Sequence, residues 1–168
     1  MPPLVLIEGP VGAGKSTYAA ALAADIGGVH IALDEWFARL FSPDRPGADV
    51  VPWYVERKAR LLDHIWRHAQ SLHAAGATPI LELGLVQRQS RDDVYQRARD
   101  AGIELGIYVL DASRDVRRER VARRNAERDP TFSMVVPESI FELASNRWQG
   151  PDDSEIADNR SVLISTDP

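Results

Sequence analysis

The stretch Gly9-Pro10-Val11-Gly12-Ala13-Gly14-Lys15-Ser16 decides the fold of this chain. It follows a short apolar run, residues 4–7, which is typical of a strand buried on both faces, and it leads into an alanine-rich segment with helical spacing. Glycines allow the backbone to wrap closely around an anion, and the N–H groups of such a loop converge at the start of a helix. This order of strand, loop and helix predicts a site for the phosphates of a nucleoside triphosphate.

Each residue type in this P-loop has an expected role. Lys15 would bridge the β- and γ-phosphates, and the Ser16 hydroxyl would bind Mg²⁺. The residues expected to contact the nucleotide, which we take to be ATP, are Gly9, Gly12, Ala13, Gly14, Lys15, Ser16 and Thr17. The alternative, a glycine-rich turn with an exposed lysine, is disfavoured by the strand and the helix on either side.

Short apolar segments alternate with helical patterns along the rest of the chain. Further strands are predicted at residues 29–33, 78–83, 103–110 and 161–164, and helices at 16–26, 34–41, 53–75, 90–101, 114–125 and 137–148. This alternation predicts an α/β fold, a three-layer P-loop NTPase sandwich whose five-stranded parallel sheet has helices on both faces. Ligands of such sheets bind at the carboxyl ends of the strands, near which Gly9, Asp34 and Glu82 fall.

Length and composition limit the class of protein. The 168 residues are expected to form a single domain, 1–168. The net charge of -5 provides no general attraction to nucleic acid or anionic membranes, and the absence of cysteine excludes disulfides and thiolate metal sites. No stretch approaches the ~20 apolar residues that a bilayer-spanning helix needs. We therefore expect a soluble cytoplasmic protein without a membrane partner, whose oligomeric state the sequence does not indicate.

Asp34 comes directly after the second predicted strand. A carboxylate at this position could accept the proton of an acceptor hydroxyl as that hydroxyl attacks the γ-phosphate. Aspartate is equally suited to cap the N-terminus of a helix. The position alone fits both roles, which can coexist in one residue. The helical region that follows, about residues 34–75, is expected to form the acceptor side of the site.

An arginine-rich segment runs from Arg114 to Arg128, with seven arginines against three acidic residues. Guanidinium groups bind phosphate bidentately, so the segment suits a lid, about residues 120–136, that closes over a polyphosphate. Most of these arginines are expected to form ion pairs on a solvated helix. Those predicted to face the nucleotide are Arg120, Arg124 and Arg128, which are spaced by four residues along one helix face.

Three motifs together resemble the small P-loop kinases. They are Gly-Pro-Val-Gly-Ala-Gly-Lys-Ser-Thr at residues 9–17, then Asp34-Glu35-Trp36, then Arg123-Arg124-Asn125 with Arg128. The similarity is strongest to the kinase domain of phage polynucleotide kinase and to the bacterial proteins called predicted kinases. Chloramphenicol phosphotransferase, gluconate kinase and the zeta toxins are more distant. The resemblance covers residues 4–148.

This resemblance implies roles for individual residues. Asp34 matches the general base that acts on the acceptor hydroxyl. Arg124 matches a lid arginine that stacks on adenine, and Arg128 matches one that contacts the transferring phosphate. Arg39 corresponds, displaced by one residue, to an arginine that positions the acceptor. Glu82 takes the place of an acidic residue, usually aspartate, that orients the acceptor, an arginine or a metal-bound water.

The main functional prediction is an ATP-dependent phosphotransferase that moves the γ-phosphate of ATP to a hydroxyl of a small molecule, with Asp34 as general base. A polynucleotide 5′-hydroxyl kinase is the second hypothesis, although the acidic chain makes nucleic acid a less favoured partner. The third is an ATP-binding or ATP-hydrolysing regulatory protein without an acceptor, in which Asp34 caps a helix. The sequence identifies neither the acceptor nor a preference for ATP over GTP.

Several histidines and aromatic residues attract weaker interpretations. His64 and His68 lie at i and i+4 on a predicted helix, but the glutamate that follows the first histidine in zinc proteases is replaced by Ile65, so no metal site is predicted. Trp36 could line the acceptor pocket or pack in the core. His30 is assigned no functional role.

Overall fold

The computed structural model describes residues 3–128 and 134–168. Its strands are β1 (Leu4–Glu8), β2 (Val29–Ala32), β3 (Pro79–Glu82), β4 (Leu105–Asp111) and β5 (Val162–Ser165). Its helices are α1 (Lys15–Ile26), α2 (Leu33–Leu40), α3 (Val50–Ala74), α4 (Arg88–Ala101), α5 (Arg114–Glu127), α6 (Glu138–Arg147) and α7 (Asp153–Asn159). A single 3₁₀ turn, Ser42–Asp44, separates α2 from α3.

The five strands form one parallel sheet in the order β2-β3-β1-β4-β5. Ile7 of β1 is level with Glu82 of β3 and with Tyr108 of β4, and Ala32 of β2 is level with Glu82. The carboxyl ends of β1, β2 and β3 therefore meet at one edge of the sheet, where the P-loop and α2 begin. The predicted five-stranded parallel α/β fold of the P-loop kinase type is confirmed.

Both faces of the sheet are covered by helices. Alternate residues of β1 point to opposite sides, so that Leu4 and Leu6 join a core cluster with α3 and α4, whereas Val5 and Ile7 join a second cluster with α1. Because both faces of β1 are buried, its sequence is a continuous apolar run rather than an alternating one. The covering helices fix the direction from which side chains reach the carboxyl edge of the sheet.

Two local features differ from the sequence-based expectation. The second strand ends at Ala32 and α2 starts at once with Leu33, so Leu33, which was predicted to end the strand, is the first residue of the helix. The short helix α7 is not predicted from the sequence. It is capped by the Asp152 side chain, which accepts a hydrogen bond from the Glu155 N–H at 2.8 Å. Within residues 3–128 and 134–168, no helix is long and apolar enough to cross a membrane.

A buried polar network lies at the residue that precedes the P-loop. Glu8, the last residue of β1, is 3% exposed and accepts a hydrogen bond from the Tyr95 hydroxyl at 2.9 Å. Arg91 of α4 binds Glu155 of α7 through two hydrogen bonds of 2.6 and 2.9 Å. Burial raises the pKa of Glu8 to about 7, despite the opposing hydrogen bond from Tyr95 and the positive charge of Arg91. The network ties β1, α4 and α7 together next to the loop.

Candidate active site

The P-loop packs tightly against the strand and the helix beside it. Gly9 has a φ of 144° and Gly12 a φ of 79°, values that favour glycine. A β-carbon on Gly9 would lie 2.3 Å from the carbonyl oxygen of Leu110, and one on Gly12 would lie 2.6 Å from that of Arg117. These two glycines are therefore required by close backbone contacts with β4 and α5.

Side chains from three parts of the chain bind carbonyl oxygens of the loop. Arg117 donates through Nη1 to Val11 at 3.0 Å, and Lys15 donates through Nζ to Pro10 at 2.9 Å. The Thr166 hydroxyl, just after β5, donates to Ala13 at 2.9 Å. These contacts hold the loop in one conformation. The sequence did not single out Arg117 or Thr166, because both reach the loop from more than 100 residues away.

The other predicted nucleotide contacts lie where the loop turns into α1. Ala13 is fully buried, and Gly14 occupies the N-cap position with a φ of 88°. Lys15 and Ser16 begin the helix and are partly buried, whereas Thr17 is exposed. Burial lowers the pKa of Lys15, and the negative charges of Glu82 and Asp34 oppose this effect.

Glu82, at the carboxyl end of β3, binds the first turn of α1. The Ser16 hydroxyl donates to Oε1 of Glu82 at 2.9 Å, and Nε2 of His30 lies 3.2 Å from Oε2. Burial opposes the ionisation of Glu82, but the hydrogen bond to His30, the charge of Lys15 and the hydrogen bond from Ser16 together hold its pKa below the usual value. Glu82 therefore lies in the P-loop site as an ionised carboxylate.

Asp34 faces the same edge of the sheet from the first turn of α2. Asp34 is an exposed residue, and the N-cap position of α2 is Ala32, so Asp34 does not take the capping role. The surrounding protein and the charge of Glu82 raise the pKa of Asp34, whereas the charges of Lys58, Lys15 and Arg124 act in the opposite direction. Asp34 thus interacts electrostatically with Lys15 of the P-loop and with Lys58 of α3.

Helix α3 contributes two residues that the sequence analysis missed. Nζ of Lys58 lies 3.4 Å from the carbonyl oxygen of Gly84, and burial lowers the pKa of Lys58 although Asp34 opposes this. Burial, aided by the nearby charge of Asp34, raises the pKa of Tyr54 to about 12. The helical pattern of residues 53–75 predicted the helix but not which of its polar residues would face Asp34. Tyr54 and Lys58 are the α3 residues that do.

Arg39 is not brought to Asp34. Its guanidinium is 77% exposed and pairs with Glu35 at 2.9 Å along α2. The resemblance implies an acceptor-positioning arginine here, displaced by one residue, and the structure describes Arg39 on the exposed surface of α2. The positive charge that acts most strongly on Asp34 is that of Lys58 on α3.

The aromatic residues after Asp34 pack against α3. The Trp36 ring lies 6.5 Å from the ring of His64 and 5.9 Å from that of His68, measured between centroids. Phe37 is buried in the main core cluster. In the parts of the chain that the structure describes, no three His, Cys, Asp or Glu side chains lie close enough to hold a metal ion among themselves. His64 and His68 thus serve as ring contacts for Trp36.

The lid arginines differ in their surroundings. Arg124 is half-buried, and its Nε has no hydrogen-bond partner in residues 3–128 and 134–168. Its charge acts on both Lys15 and Asp34, so it faces the site. Arg120 instead donates from Nη1 to the Thr166 hydroxyl at 2.9 Å and so holds the segment after β5. Arg128 is exposed and follows α5 with a φ of 48°.

The base of the predicted lid is closed by Asn125. Its side chain accepts a hydrogen bond from the Val136 N–H at 3.0 Å and donates one to the Val136 carbonyl at 2.8 Å. This pairing joins the end of α5 to the segment before α6. Residues 129–133 of the predicted lid lie outside the described residues, so the structure describes its two ends.

Residues 4–150 match the sequence profile of an AAA domain family. The chain belongs to this family. Cytidylate kinase of Natronomonas pharaonis is 34% identical in an alignment of 129 residues that covers 72% of this chain. The aligned part is 58% of that enzyme, so the chain spans little more than half the length of this relative.

Solved structures share the fold over nearly the whole chain. A gluconokinase from Sinorhizobium meliloti superposes with a TM-score of 0.60 at 22% identity, covering 99% of this chain and 85% of its own. Kti12 of Chaetomium thermophilum, in complex with ADP-AlF3, gives a TM-score of 0.67 at 20% identity, covering 98% and 90%. At these identities the likeness shows the P-loop kinase fold of this AAA domain protein.

Proposed function

We propose that this AAA domain protein is an ATP-dependent phosphotransferase that moves the γ-phosphate of ATP to a hydroxyl of a small-molecule acceptor. The observation that carries this proposal is the position of Asp34. Asp34 is an exposed residue at the carboxyl edge of the sheet, and its carboxylate interacts electrostatically with Lys15 of the P-loop. A base beside the phosphate site is what the activation of a hydroxyl nucleophile requires.

The donor side of the reaction is assigned to the P-loop. Lys15 would bind the β- and γ-phosphates, and Arg124, with its unpartnered buried Nε, would close on the nucleotide from α5. The Ser16 hydroxyl and the Glu82 carboxylate, 2.9 Å apart, are oxygen donors of the kind that Mg²⁺ prefers. Ser16 would ligate the ion and Glu82 would hold its water. Bound Mg²⁺ would supply charge neutralisation at the phosphates.

The acceptor side is assigned to α2 and α3. A hydroxyl placed against Asp34 would lose its proton to this carboxylate as its oxygen attacks phosphorus. The raised pKa of Asp34 makes it a stronger base than an ordinary aspartate. Lys58 limits the rise in the pKa of Asp34, because its positive charge favours the ionised form that accepts the proton. Tyr54 and Lys58 would contact the remainder of the acceptor.

The similarity to a cytidylate kinase brings a second candidate acceptor class, the nucleoside monophosphates. Lys58, a cation near Asp34, is compatible with an anionic acceptor of this kind. In that reaction the attacking oxygen belongs to a phosphate that is already ionised near neutral pH, so Asp34 would have no proton to accept. The two classes therefore predict different effects of removing the Asp34 carboxylate.

The deciding experiment follows the γ-phosphate of radiolabelled ATP with the full chain and Mg²⁺. Acceptors would include sugars and sugar acids, nucleosides, nucleoside monophosphates, 5′-hydroxyl oligonucleotides, and water alone. We expect transfer to a small hydroxyl compound, and a loss of at least ~100-fold in Asp34→Asn with nucleotide affinity retained. Asp25→Asn, at an exposed position in the last turn of α1, is the matched control and keeps the wild-type rate. Equal transfer by Asp34→Asn and wild type would exclude Asp34 as the base.

A further inference from the structure

His30 lies on the face of the sheet that α1 covers. In the parallel register, His30 is level with Ile80 and Ala32 is level with Glu82. Ile80 belongs to the core cluster packed against α1, and side chains two residues apart on a strand share a face. His30 therefore stands one step behind Glu82, on the same face and on the neighbouring strand.

The contact between the two side chains has a defined direction. Nε2 of His30 lies 3.2 Å from Oε2 of Glu82, and the two side chains are 20% and 13% exposed. An ionised carboxylate can only accept hydrogen bonds, so the imidazole must donate through Nε2. The other oxygen, Oε1, accepts the bond from Ser16. The carboxylate is thus fixed at both ends, by a strand residue on one side and by the P-loop helix on the other.

Without the hydrogen bond from His30, the Glu82 carboxylate would be attracted toward a neighbouring positive charge. Lys15 is the strongest charge acting on Glu82 in this site, and each of the two shifts the pKa of the other. Rotation of Glu82 toward Lys15 would remove the acceptor from Ser16. Groups that orient metal-binding residues from behind commonly change metal affinity by about 10- to 100-fold.

We propose that His30 is a positioning residue, which holds the Glu82 carboxylate so that it presents Oε1 to Ser16 and to the hydration shell of a divalent cation. The inference deepens the proposed phosphotransfer function and rests on it for its role in the reaction. His30 touches neither nucleotide nor acceptor in this assignment. Its effect reaches the metal through Glu82.

The test compares His30→Ala with His30→Gln, whose side-chain amide can donate in place of Nε2. Binding of Mn²⁺ to the complex of the full chain with ADP would be measured by electron paramagnetic resonance, and ADP affinity without metal by fluorescence. We expect His30→Ala to weaken Mn²⁺ binding by about tenfold and His30→Gln to recover most of it. Metal-free ADP affinity would change by less than about twofold in both variants.

His64→Ala is the matched control, because His64 is exposed on α3 and contacts Trp36 rather than Glu82. Unchanged Mn²⁺ binding in His30→Ala would overturn the proposal. So would equal losses in the alanine and glutamine variants, or a loss of ADP affinity that is as large without metal as with it. The measurement uses no acceptor, so its outcome stays separate from a failure of the proposed phosphotransfer.

Discussion

The α-carbon of Gly9 lies directly against the carbonyl of Leu110, so that a β-carbon at this position would be 2.3 Å from that oxygen. The contact joins the first residue of the P-loop to the strand beside it. Because the contact is between two backbone groups, no flexible side chain can move aside to relieve a clash. The position of the phosphate site relative to the sheet therefore depends on the absence of a single carbon atom.

Replacing Gly9 by alanine is expected to destabilise the protein by more than ~2 kcal/mol and to abolish nucleotide binding. The cause is the clash with Leu110 together with a φ of 144°, which a residue with a side chain rarely adopts. Urea unfolding and fluorescent ATP binding measure the two effects. Gly47→Ala is the control, since nothing lies within 4 Å of its added carbon, and it should match wild type. Normal binding in Gly9→Ala would contradict the tight loop geometry.

Lys58→Met is expected to move the acidic limb of the pH–rate profile upward by about one pH unit. The surrounding protein and the charge of Glu82 already raise the pKa of Asp34, and the positive charge of Lys58 opposes that rise. Removing the charge raises the pKa further. Because the base must be deprotonated to accept the hydroxyl proton, activity is then lost at a higher pH than in wild type.

The profile would be recorded by phosphate transfer between pH 5 and 9. Arg60→Met serves as the control on the same helix, because Arg60 is exposed and pairs with Glu56 at 3.4 Å. It should leave the acidic limb in place. An acidic limb in Lys58→Met at the wild-type pH would mean that Lys58 does not act on the catalytic base.

Glu8→Gln is expected to become more stabilising, relative to wild type, as the pH rises. The folded pKa of Glu8 is about 7 against an ordinary value of 4.5, so between these pH values the folded state keeps a proton that the unfolded chain has released. The free energy of unfolding of wild type therefore falls over this window, by at most ~3 kcal/mol from this group. Glutamine does not ionise and still accepts the Tyr95 hydrogen bond.

Urea unfolding at pH 5 and pH 8 measures the difference. The gain of Glu8→Gln over wild type should be larger at pH 8 than at pH 5. Glu104→Gln, at an exposed position before β4, should show the same pH dependence as wild type. Parallel behaviour of Glu8→Gln and wild type would show that Glu8 is ionised throughout this range.

Arg124→Ala and Arg39→Ala test two roles that the resemblance implies, contact with the nucleotide for Arg124 and positioning of the acceptor for Arg39. Arg124 acts on Lys15 and Asp34 and has a buried Nε without a partner in the described residues, so its removal is expected to weaken ATP binding or turnover at least about tenfold. Arg39 forms an exposed pair within α2, and its removal should cost less than ~0.5 kcal/mol of stability. Calorimetry and the transfer assay test both. A large rise of acceptor KM in Arg39→Ala would restore the role that the resemblance implied.

The fold was predictable because its signals are local. The apolar run at residues 4–7, the loop after it and the glycines that end α1 and α4 are each read within a few residues. The exact end of β2 could not be predicted, because Leu33 continues the apolar run of the strand but is the first residue of α2. Helix α7 is only seven residues long, and its stability comes from the Asp152 cap and the buried Glu155.

The P-loop and Asp34 are the parts of the site that sequence spacing predicted best, because both lie within one strand–helix–strand unit. His30 and Glu82 are 52 residues apart and meet through strand pairing. Lys58 faces Asp34 because of how α3 packs on α2. The apolar periodicity of a helix does not predict which of its polar residues will face a neighbouring helix. Arg39, to which the resemblance assigns a role toward the acceptor, is exposed on α2 and pairs with Glu35, so that role stays a prediction.

The hydrogen bond from Thr166 to Ala13 makes the segment after β5 a wall of the nucleotide site. Arg120 grips the same threonine from α5. A fluorophore attached at position 168 would thus lie two residues from a group that touches the P-loop. Such a label would serve as a reporter of nucleotide binding without any change to the loop itself, whereas a bulky group at the same position would interfere with the binding that it was added to study.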